Sequence, residues 1–565
     1  MKALSIRGRA RRGRGLHLQP WPQPAPIAPA DAPVPVPIPP RLYLPLDASS
    51  GMRLIPRVSA GDRVLRGQPV CHGGQTAPWI IRHAPASGQV VGVLRAEAIP
   101  EGQTSVSSVD CLVIAPDGED HAIPAMQPLT DTLATTPERL RGRILEAGIM
   151  GLGGASFPCG AKLAAADSAG VHTLIVNGAE CDPYIHCDDS LMRTSPHRVV
   201  RGAQLACRAA GANRCLIAVN ADMDEAMAAV TRAIADIDPA GTIELQAVPA
   251  YYPAGGERQL VQMLLGLEVP SGGLPLDVGV VCQNAATVAT VADAVDRGLP
   301  VLSRMVSVTG PGVARPGNYV VLMGTPIEYV IAAAGGYHPD VARLVMGGAM
   351  TGIALPHDGV PVTMATNALL ALTTAQVGDA KPPMPCIRCG DCATVCPAVL
   401  QPQELHRQLE SGHVRVATDV HGLMDCIECG CCDLVCPSGI ALTQTFRAAR
   451  AVVAAEQAAT AQRDHWRALH ARHLARTSSN ERAAAARASR RATRDEAREA
   501  PGEAPPPPPG EGLSLDSAED SRQAVIEAAV ERVKRRRAAR KTAGHGTGSS
   551  DPHPPGGIVR NDDAV

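Results

Sequence analysis

Cys386-Ile-Arg-Cys389-Gly-Asp-Cys392-Ala-Thr-Val-Cys396-Pro397 and Cys426-Ile-Glu-Cys429-Gly-Cys-Cys432-Asp-Leu-Val-Cys436-Pro437 repeat one pattern. In each, three cysteines follow one another at Cys-x2-Cys-x2-Cys, a fourth comes after x3, and proline closes the run. Zinc sites also use Cys-x2-Cys pairs, but two such pairs are normally separated by a longer spacer. A disulfide framework suits a small secreted protein and not a chain of 565 residues read as lacking a signal peptide. Thiolates in this rhythm hold iron–sulfur clusters, and eight of them predict two [4Fe-4S] clusters.

The spacing is that of bacterial ferredoxins, where the fourth cysteine of each run ligates the other cluster. Cys386, Cys389, Cys392 and Cys436 are therefore expected around one cluster, and Cys426, Cys429, Cys432 and Cys396 around the other. Cys431 stands where the first run has Asp391. It is expected as a small packed thiol beside the ligands and not as a ligand.

A length of this order allows about three to five domains. The formal net charge is -2, so no global basic field argues for nucleic acid. Aromatic residues make up 2% of the chain, which leaves the core to Ala, Val, Leu and Ile. No apolar run reaches the roughly 18 residues that a membrane-spanning helix needs. Met1 to Arg14 is basic through Arg7, Arg9, Arg11, Arg12 and Arg14 but has no apolar stretch, so Arg11-Arg12 is a poor twin-arginine signal. Oxygen-sensitive clusters and reduced thiols point to the cytoplasm. Membrane association would then run through a protein partner or a surface patch.

Residues 20–40 are laden with proline (Pro20, Pro22, Pro24, Pro26, Pro29, Pro33, Pro35, Pro37, Pro39, Pro40) and predict an extended lead-in, not a packed element. The phrases Val58-Ser-Ala-Gly61-Asp62-Arg-Val64-Leu65-Arg-Gly67-Gln68-Pro-Val70 and Ala84-Pro85-Ala86-Ser87-Gly88-Gln89-Val90-Val91-Gly92-Val93 alternate in short runs split by Gly and Asp, as hairpins do. Their pairing resembles the barrel-sandwich of lipoyl and biotinyl domains. No lysine stands between the halves, so a structural or docking module is expected and cofactor attachment is not.

Residues 128–275 read as α/β. A helix is expected over Pro137–Ala147 with Leu140, Ile144 and Ala147 on one face, strands at 174–176, 215–219 and 242–248, and a helix over 223–234. Strands alternating with helices favour a parallel sheet. Strands at 305–309 and 319–322 around Gly310, Pro311, Gly312 and Pro316 suggest a small β-grasp-like unit. Beyond Arg450, residues 451–500 are rich in Ala, Arg and Glu and fit a solvated helix. A proline run at 502–512 and a second helix over Val525–Ala539 follow, the latter ending in Lys534-Arg535-Arg536-Arg537. This tail cannot bury enough apolar surface to fold alone. Its basic run reads as a solvated helix end, with anionic lipid as the functional alternative.

Four polar, glycine-bearing phrases are candidates for chemistry. Gly148-Ile-Met-Gly151-Leu152-Gly153-Gly154-Ala-Ser156-Phe157-Pro158 can bring free backbone N–H groups close to a phosphate, with Lys162 as a nearby charge. It lacks the third glycine of the dinucleotide fingerprint and follows a helix, so that fingerprint is not met. A plain turn and a nucleotide site both remain open. Asn177-Gly-Ala-Glu180-Cys181-Asp182-Pro183-Tyr184 follows a strand, where ligands bind in open parallel sheets. The plainer alternative is a side-chain-capped turn. Tyr252-Pro-Ala-Gly255-Gly256-Glu257 and Gln283-Asn284-Ala-Ala-Thr287 are the others.

Together these phrases resemble the flavin- and NADH-binding subunit of complex I and related hydrogenase subunits. The closer resemblance is to the RnfC family, the C component of the Rnf/Rsx ion-translocating electron transport complex. It is carried by Glu146-Ala-Gly-Ile-Met-Gly-Leu-Gly-Gly154, Asn177-Gly-Ala-Glu180, Val269-Pro-Ser-Gly-Gly-Leu-Pro275, Val308-Thr-Gly310, Met346-Gly-Gly-Ala-Met350 and Cys386-Ile-Arg-Cys-Gly390, and covers about residues 40–450.

The fold it implies is multidomain, α/β plus β. A basic, Pro-rich segment (1–40) comes first. A barrel-sandwich hybrid domain (41–125), a complex I flavoprotein-like NADH/FMN domain (128–275), a β-grasp unit (283–350) and a double [4Fe-4S] ferredoxin-type domain (376–446) follow. An Ala/Arg/Pro-rich tail, disordered or helical, closes the chain (447–565). By the same resemblance Gly151, Gly153, Gly154, Lys162, Asn177, Glu180, Glu257, Asn284 and Thr287 would line FMN and its phosphate. Phe157 would stack on the nicotinamide or adenine ring. Ser156, Cys159 and Asp182 depart from the family's Gly, Thr and Glu.

Nicotinamide gives two electrons as hydride and a [4Fe-4S] cluster accepts one, so a flavin is expected between NAD(H) and the clusters. The resemblance implies a peripheral subunit on the cytoplasmic face of the bacterial inner membrane. Its partners would be NAD(H), a ferredoxin-like subunit and integral membrane flavoprotein subunits. Two other readings stay open: an NADH-linked subunit of a soluble hydrogenase or formate dehydrogenase, and a non-catalytic electron-relay scaffold. Neighbouring genes discriminate the first, and flavin content the second.

Overall fold

The computed structural model describes residues 32–499 apart from 49–51, 75–76, 101–102, 104, 130–131, 133–134, 155 and 379–381. The chain divides into two compact units, Met1–Ala454 and Ala455–Val565.

In the first unit, alternating short strands build two small antiparallel sheets. One runs in the order Leu42–Pro45, Ser107–Pro116, Gly88–Ala98, Arg63–Val64, and the other Ile55–Pro56, Pro69–Gly73, Ala77–His83. Gly88 is required where these strands meet, because a Cβ there would lie 2.1 Å from the Ala115 carbonyl oxygen. This is the barrel-sandwich that the two hairpin phrases predict.

The α/β domain carries a parallel sheet ordered Ile243–Val248, Arg214–Asn220, Thr173–Gly178, Val280–Asn284. Its two central strands, Thr173–Gly178 and Arg214–Asn220, carry near-continuous apolar runs buried on both faces, while the edge strand Ile243–Val248 keeps Glu244 and Gln246. The helix expected at 137–147 forms over Pro137–Glu146, with Leu140, Ile144 and the following Ala147 fully buried. Thr136 caps it by accepting the Arg139 N–H. Three strands progress to one side of the sheet and the fourth, Val280–Asn284, returns to the other side of the first. A topological switch point therefore opens between Thr173–Gly178 and Val280–Asn284, the place where open parallel sheets bind ligands. Asn177 and Asn284 are register partners at that point.

A mixed sheet follows, ordered Val34–Pro35, Gly317–Leu322, Ser303–Thr309, Ala368–Thr373, Val341–Met346, Ile353–Leu355, with the helix Ile327–Ala333 packed on it. The two strands expected at 305–309 and 319–322 form its antiparallel centre. Residues 34–36 are not the free lead-in expected of them. Val34 and Pro35 pair with Tyr319 and Val320, the Val36 N–H donates to Val320 O at 3.0 Å, and Val36 is buried. Proline cannot donate to a ladder, but on an edge strand that loss is tolerated.

The cysteine runs fold as short loops and single-turn helices around a core of Leu405, Leu423, Leu442 and Phe446. The solvated helix expected over 451–500 starts earlier, at Leu442, and runs to Glu499. Most of its residues from Ala455 onward with described side chains are exposed. The helix expected at 525–539 and its basic end lie outside the described residues. No described helix is long and apolar enough to cross a membrane.

The helices Pro196–Ala209 and Ala285–Asp296 share one face of the parallel sheet and touch at Gly202, where a Cβ would sit 1.7 Å from the Val288 carbonyl oxygen. Gly202→Ala is therefore expected to destabilise the α/β domain by about 1–3 kcal/mol. The check is a lower thermal midpoint by circular dichroism at unchanged helix content before heating.

Candidate functional site

Three loops converge on the switch point. Gly151–Phe157 is closed by the Gly151 N–H donating to Phe157 O at 2.8 Å. It is pinned from below at Leu152, whose N–H donates to Thr287 Oγ1 at 2.9 Å while its carbonyl accepts from Arg304 at 3.1 Å. Gly154 holds a φ of +110° and nothing lies within 4 Å of where its Cβ would be, so the loop crest is open to a ligand's close approach. Phe157 beside it is 50% exposed and presents an aromatic face at the same crest. Lys162, on the helix Cys159–Ser168, pairs with Glu257 at 2.8 Å; both side chains stay partly exposed.

The two asparagines at the strand ends hold loops. Asn177 donates to Gly255 O at 2.8 Å and accepts from the Ala179 N–H at 3.1 Å, tying two candidate phrases together. Asn284 caps its helix by accepting from the N–H groups of Ala286 and Thr287, and its amide donates to Asp188. Glu180 caps a helix from a distance: its carboxylate accepts the N–H groups of Asp188 and Asp189 at 3.1 Å each, at the start of Cys187–Thr194. Burial and the neighbouring Asp188 carboxylate push Glu180 up to about 8; burial pushes Asp188 up to about 6. The sequence-predicted residues thus gather at one edge, and several polar groups among them order the protein around that edge.

Asp182 accepts from the Met350 N–H at 3.2 Å and Thr351 Oγ1 at 2.9 Å, joining this edge to the turn after Val341–Met346. Gly348 makes room for it, since a Cβ there would lie 2.1 Å from an Asp182 oxygen.

Sequence reasoning missed part of the edge. Among the described residues, Ser156 Oγ, Asn220 Oδ1, Gln259 Oε1 and Gln283 Nε2 are buried without a hydrogen-bond partner. They lie on or next to the loops at the C-terminal ends of the parallel strands. Orphaned groups of this kind are costly unless something polar meets them, which fits a cofactor rich in carbonyls, hydroxyls and phosphate oxygens. Asn220 was findable, because it ends a strand at the same edge. Arg304, which is fully enclosed and holds the glycine loop, carries no local signal.

The cysteines sort into two hollows. Cys386, Cys389, Cys392 and Cys436 line one; Cys396, Cys426, Cys429 and Cys432, with Cys431, line the other. Gly390 and Gly430, both left-handed, turn each run into its helix. Polar groups reach the sulfurs: the Leu400 N–H donates to Cys396 Sγ at 3.4 Å, Gln403 meets Cys392 at 3.3 Å and Thr443 lies 3.6 Å from Cys432. Four sulfurs around each hollow are the donor set of a [4Fe-4S] cube.

The second hollow is moored to the α/β domain. Tyr252 Oη donates to Cys429 O at 2.7 Å, Ser271 Oγ donates to Asp425 at 2.6 Å, and a Cβ on Gly430 would lie 2.9 Å from Met350 O. The first hollow faces outward, with Cys386 and Cys389 exposed beside exposed Met384 and Ile387.

An open parallel-sheet edge hydrogen-bonded to paired tetra-cysteine hollows defines the class of iron–sulfur flavoproteins that carry electrons. Comparison with known proteins agrees. Family models match at residues 144–293 (Nuo51 FMN-binding domain), 305–354 (SLBB domain), 29–119 (RnfC barrel sandwich hybrid domain) and 384–440 (4Fe-4S dicluster domain). The chain is similar to proteins named as the C component of the ion-translocating oxidoreductase complex. It is 41% identical to that of Rhodobacter capsulatus over 73% of this chain and 78% of the relative. It is 41% identical to that of Pseudomonas aeruginosa over 79% of this chain and 56% of the relative. To that of Vibrio cholerae (O395) it is 38% identical over 64% of this chain and 46% of the relative, so the match spans about half the length of some relatives. Among solved structures, an NAD+-reducing [NiFe]-hydrogenase in the H2-reduced state matches with a TM-score of 0.41 at 18% identity, over 58% of this chain and 66% of that one. The chain belongs to the RnfC family, the C components of ion-translocating oxidoreductase complexes. Its cofactors are FMN and [4Fe-4S] clusters.

The raised Glu180 gives a signed expectation. Between the ordinary value of 4.5 and about 8 the folded chain holds a proton that the unfolded chain has lost. Stability therefore falls as pH rises through that window. Glu180→Gln removes the titration, so its thermal midpoint is expected to decline less than wild type from pH 5 to pH 8, measured on flavin-free protein.

Proposed function

We propose that this chain moves electrons between NAD(H) and a ferredoxin-type partner through FMN and two [4Fe-4S] clusters. It does so as a peripheral subunit of an ion-translocating oxidoreductase complex on the cytoplasmic face of the bacterial inner membrane. The observation that carries the reading is the sorting of the eight cysteines into two hollows of four, each run lending its last cysteine to the other's hollow. That exchange is what the two-cluster ferredoxin spacing calls for. The ligands are then Cys386, Cys389, Cys392 and Cys436 for one cluster and Cys396, Cys426, Cys429 and Cys432 for the other.

FMN, when bound, supplies the change from a two-electron hydride donor to one-electron acceptors. The chain's own residues position it. The N–H groups at Gly153 and Gly154 and the Lys162 ammonium would meet phosphate, while Gly151, whose N–H closes the loop on Phe157 O, would shape the turn that presents them. Asn177, Glu180, Glu257, Asn284 and Thr287 shape the walls around the flavin. Phe157 offers its open face to the nicotinamide or adenine ring, where stacking contributes beyond buried area.

Support for an order of transfer comes from the mooring of the second hollow to Tyr252, Ser271 and the Met350 turn, against the outward exposure of Cys386 and Cys389. The cluster in the second hollow is the inner one and that in the first is the exit toward the partner. Membership in a membrane complex rests on the names of the relatives.

Anaerobically purified protein is expected to hold about eight irons and one FMN per chain, and NADH is expected to bleach its visible spectrum. Cys389→Ser should remove about half the iron and keep the flavin bleaching. Full iron without flavin and without bleaching would leave only a relay.

A further inference from the structure

The helix that ends at Glu499 concentrates positive charge on one side. From Arg463 to Asp495 the chain holds nine arginines, no lysine and three carboxylates, a formal +6 in a chain whose net charge is -2. At about 3.6 residues per turn, Arg472, Arg476, Arg487, Arg490 and Arg494 return to within about 60° of one another around the helix axis. All five are exposed. The carboxylates lie off this stripe: Asp464 pairs with Arg467 at 3.2 Å, Asp495 pairs with Arg491 at 3.9 Å, and Glu481 stands nearly opposite. Among the described residues none of the five stripe arginines has a carboxylate partner. Arg472 with Arg476, Arg487 with Arg490, and Arg490 with Arg494 fall at i, i+4 or i, i+3, spacings at which like charges repel and weaken a lone helix. Leu469 lies on the same side, one turn before Arg472, and Trp466, 47% exposed, borders it.

We propose that this arginine stripe is a docking surface for the anionic face of a lipid bilayer. Guanidinium forks donate paired hydrogen bonds to phosphate oxygens, which a point-like ammonium does not. A row roughly 33 Å long meets several headgroups at once. Each arginine brought near an anionic leaflet strengthens partitioning about fivefold. The approach of a negative surface also relieves the repulsion along the stripe, so docking and helix formation support each other. Leu469 and Trp466 give the same side an apolar, aromatic end of the kind that settles at headgroup level. The choice of lipid over other polyanions rests on the membrane placement proposed above. Vesicle binding needs no electron transfer, so this inference and the electron-transfer reading fail separately.

The test is flotation of the full chain with vesicles of phosphatidylcholine alone and of phosphatidylcholine mixed with phosphatidylglycerol, at low and at physiological salt. Wild type is expected to bind the mixed vesicles and not the neutral ones, and to bind less as salt shortens the screening length to about 8 Å. The double variant Arg487→Gln, Arg490→Gln is expected to bind about 25-fold more weakly. R472Q/R476Q/R487Q/R490Q/R494Q is expected to lose binding altogether. Arg463→Gln with Arg467→Gln removes the same charge as the first double variant from the opposite side of the helix and is expected to bind like wild type. All three variants keep the basic run Lys534-Arg535-Arg536-Arg537. Wild type that binds both vesicle types equally or neither, equal losses in the two double variants, or undiminished binding by the fivefold variant would each overturn the proposal. So would tighter binding to double-stranded DNA than to mixed vesicles at equal phosphate concentration. The lipid and salt dependence of wild type decides the matter without any variant, and circular dichroism checks that each variant keeps its helix.

Discussion

The parallel pairing of Thr173–Gly178 with Val280–Asn284 is the contact on which the rest of the molecule depends. About a hundred residues separate the two strands, and closing that loop costs entropy that only burial of both sheet faces repays. The reward is the switch point. It sets Asn177 and Asn284 side by side and gives each a backbone to hold: the Gly255 turn for one, the helix Ala285–Asp296 for the other. Thr287, one turn further along, then fixes Leu152 and with it the glycine loop. Shifting this register by one residue would dissolve the edge, since strand side chains alternate between faces.

Around that edge the protein concentrates charge that it does not expose. Glu180 and Asp188 share an enclosed space with Arg304, and both carboxyls hold protons more tightly than in water because burial penalises their charged forms. Such arrangements are rarely the most stable choice for a core. Here they cap Cys187–Thr194, brace Asn284 and clamp Leu152, so the polar cost is carried by groups that order the loops. Asp182 and the Met350 turn extend the same ordering to the cluster loops, and Tyr252 completes it. The switch-point edge and the second hollow are thereby tied by direct hydrogen bonds.

Much of this was legible beforehand. The cysteine rhythm needs no tertiary information, because ligand spacing within a short loop is a local property. The helix at Pro137 showed its apolar face directly, and the strand at 215–219 its apolar run. Val34–Pro35 was not legible, because a proline-rich stretch declares extension but not a partner, and the partner is about 285 residues away in Tyr319 and Val320. Arg304 was invisible for a related reason: a buried arginine is defined by the carbonyls that receive it, and Leu152 and Met364 are remote in sequence.

The sequence by itself determined the chemistry available: eight thiols in cluster spacing and glycine-bearing polar turns, one of them at a strand end. Each of these follows from residue type and short-range spacing, which steric and ligand-field constraints read locally. The tertiary structure alone decided which hollow faces the α/β domain and which faces out, that polar groups expected at the flavin also cap helices and tie loops, and that Cys431 lines a hollow with four other cysteines while Asp391 is exposed. Those outcomes depend on long-range strand pairing and inter-domain hydrogen bonds, whose partners are fixed by the fold and not by neighbours in the chain.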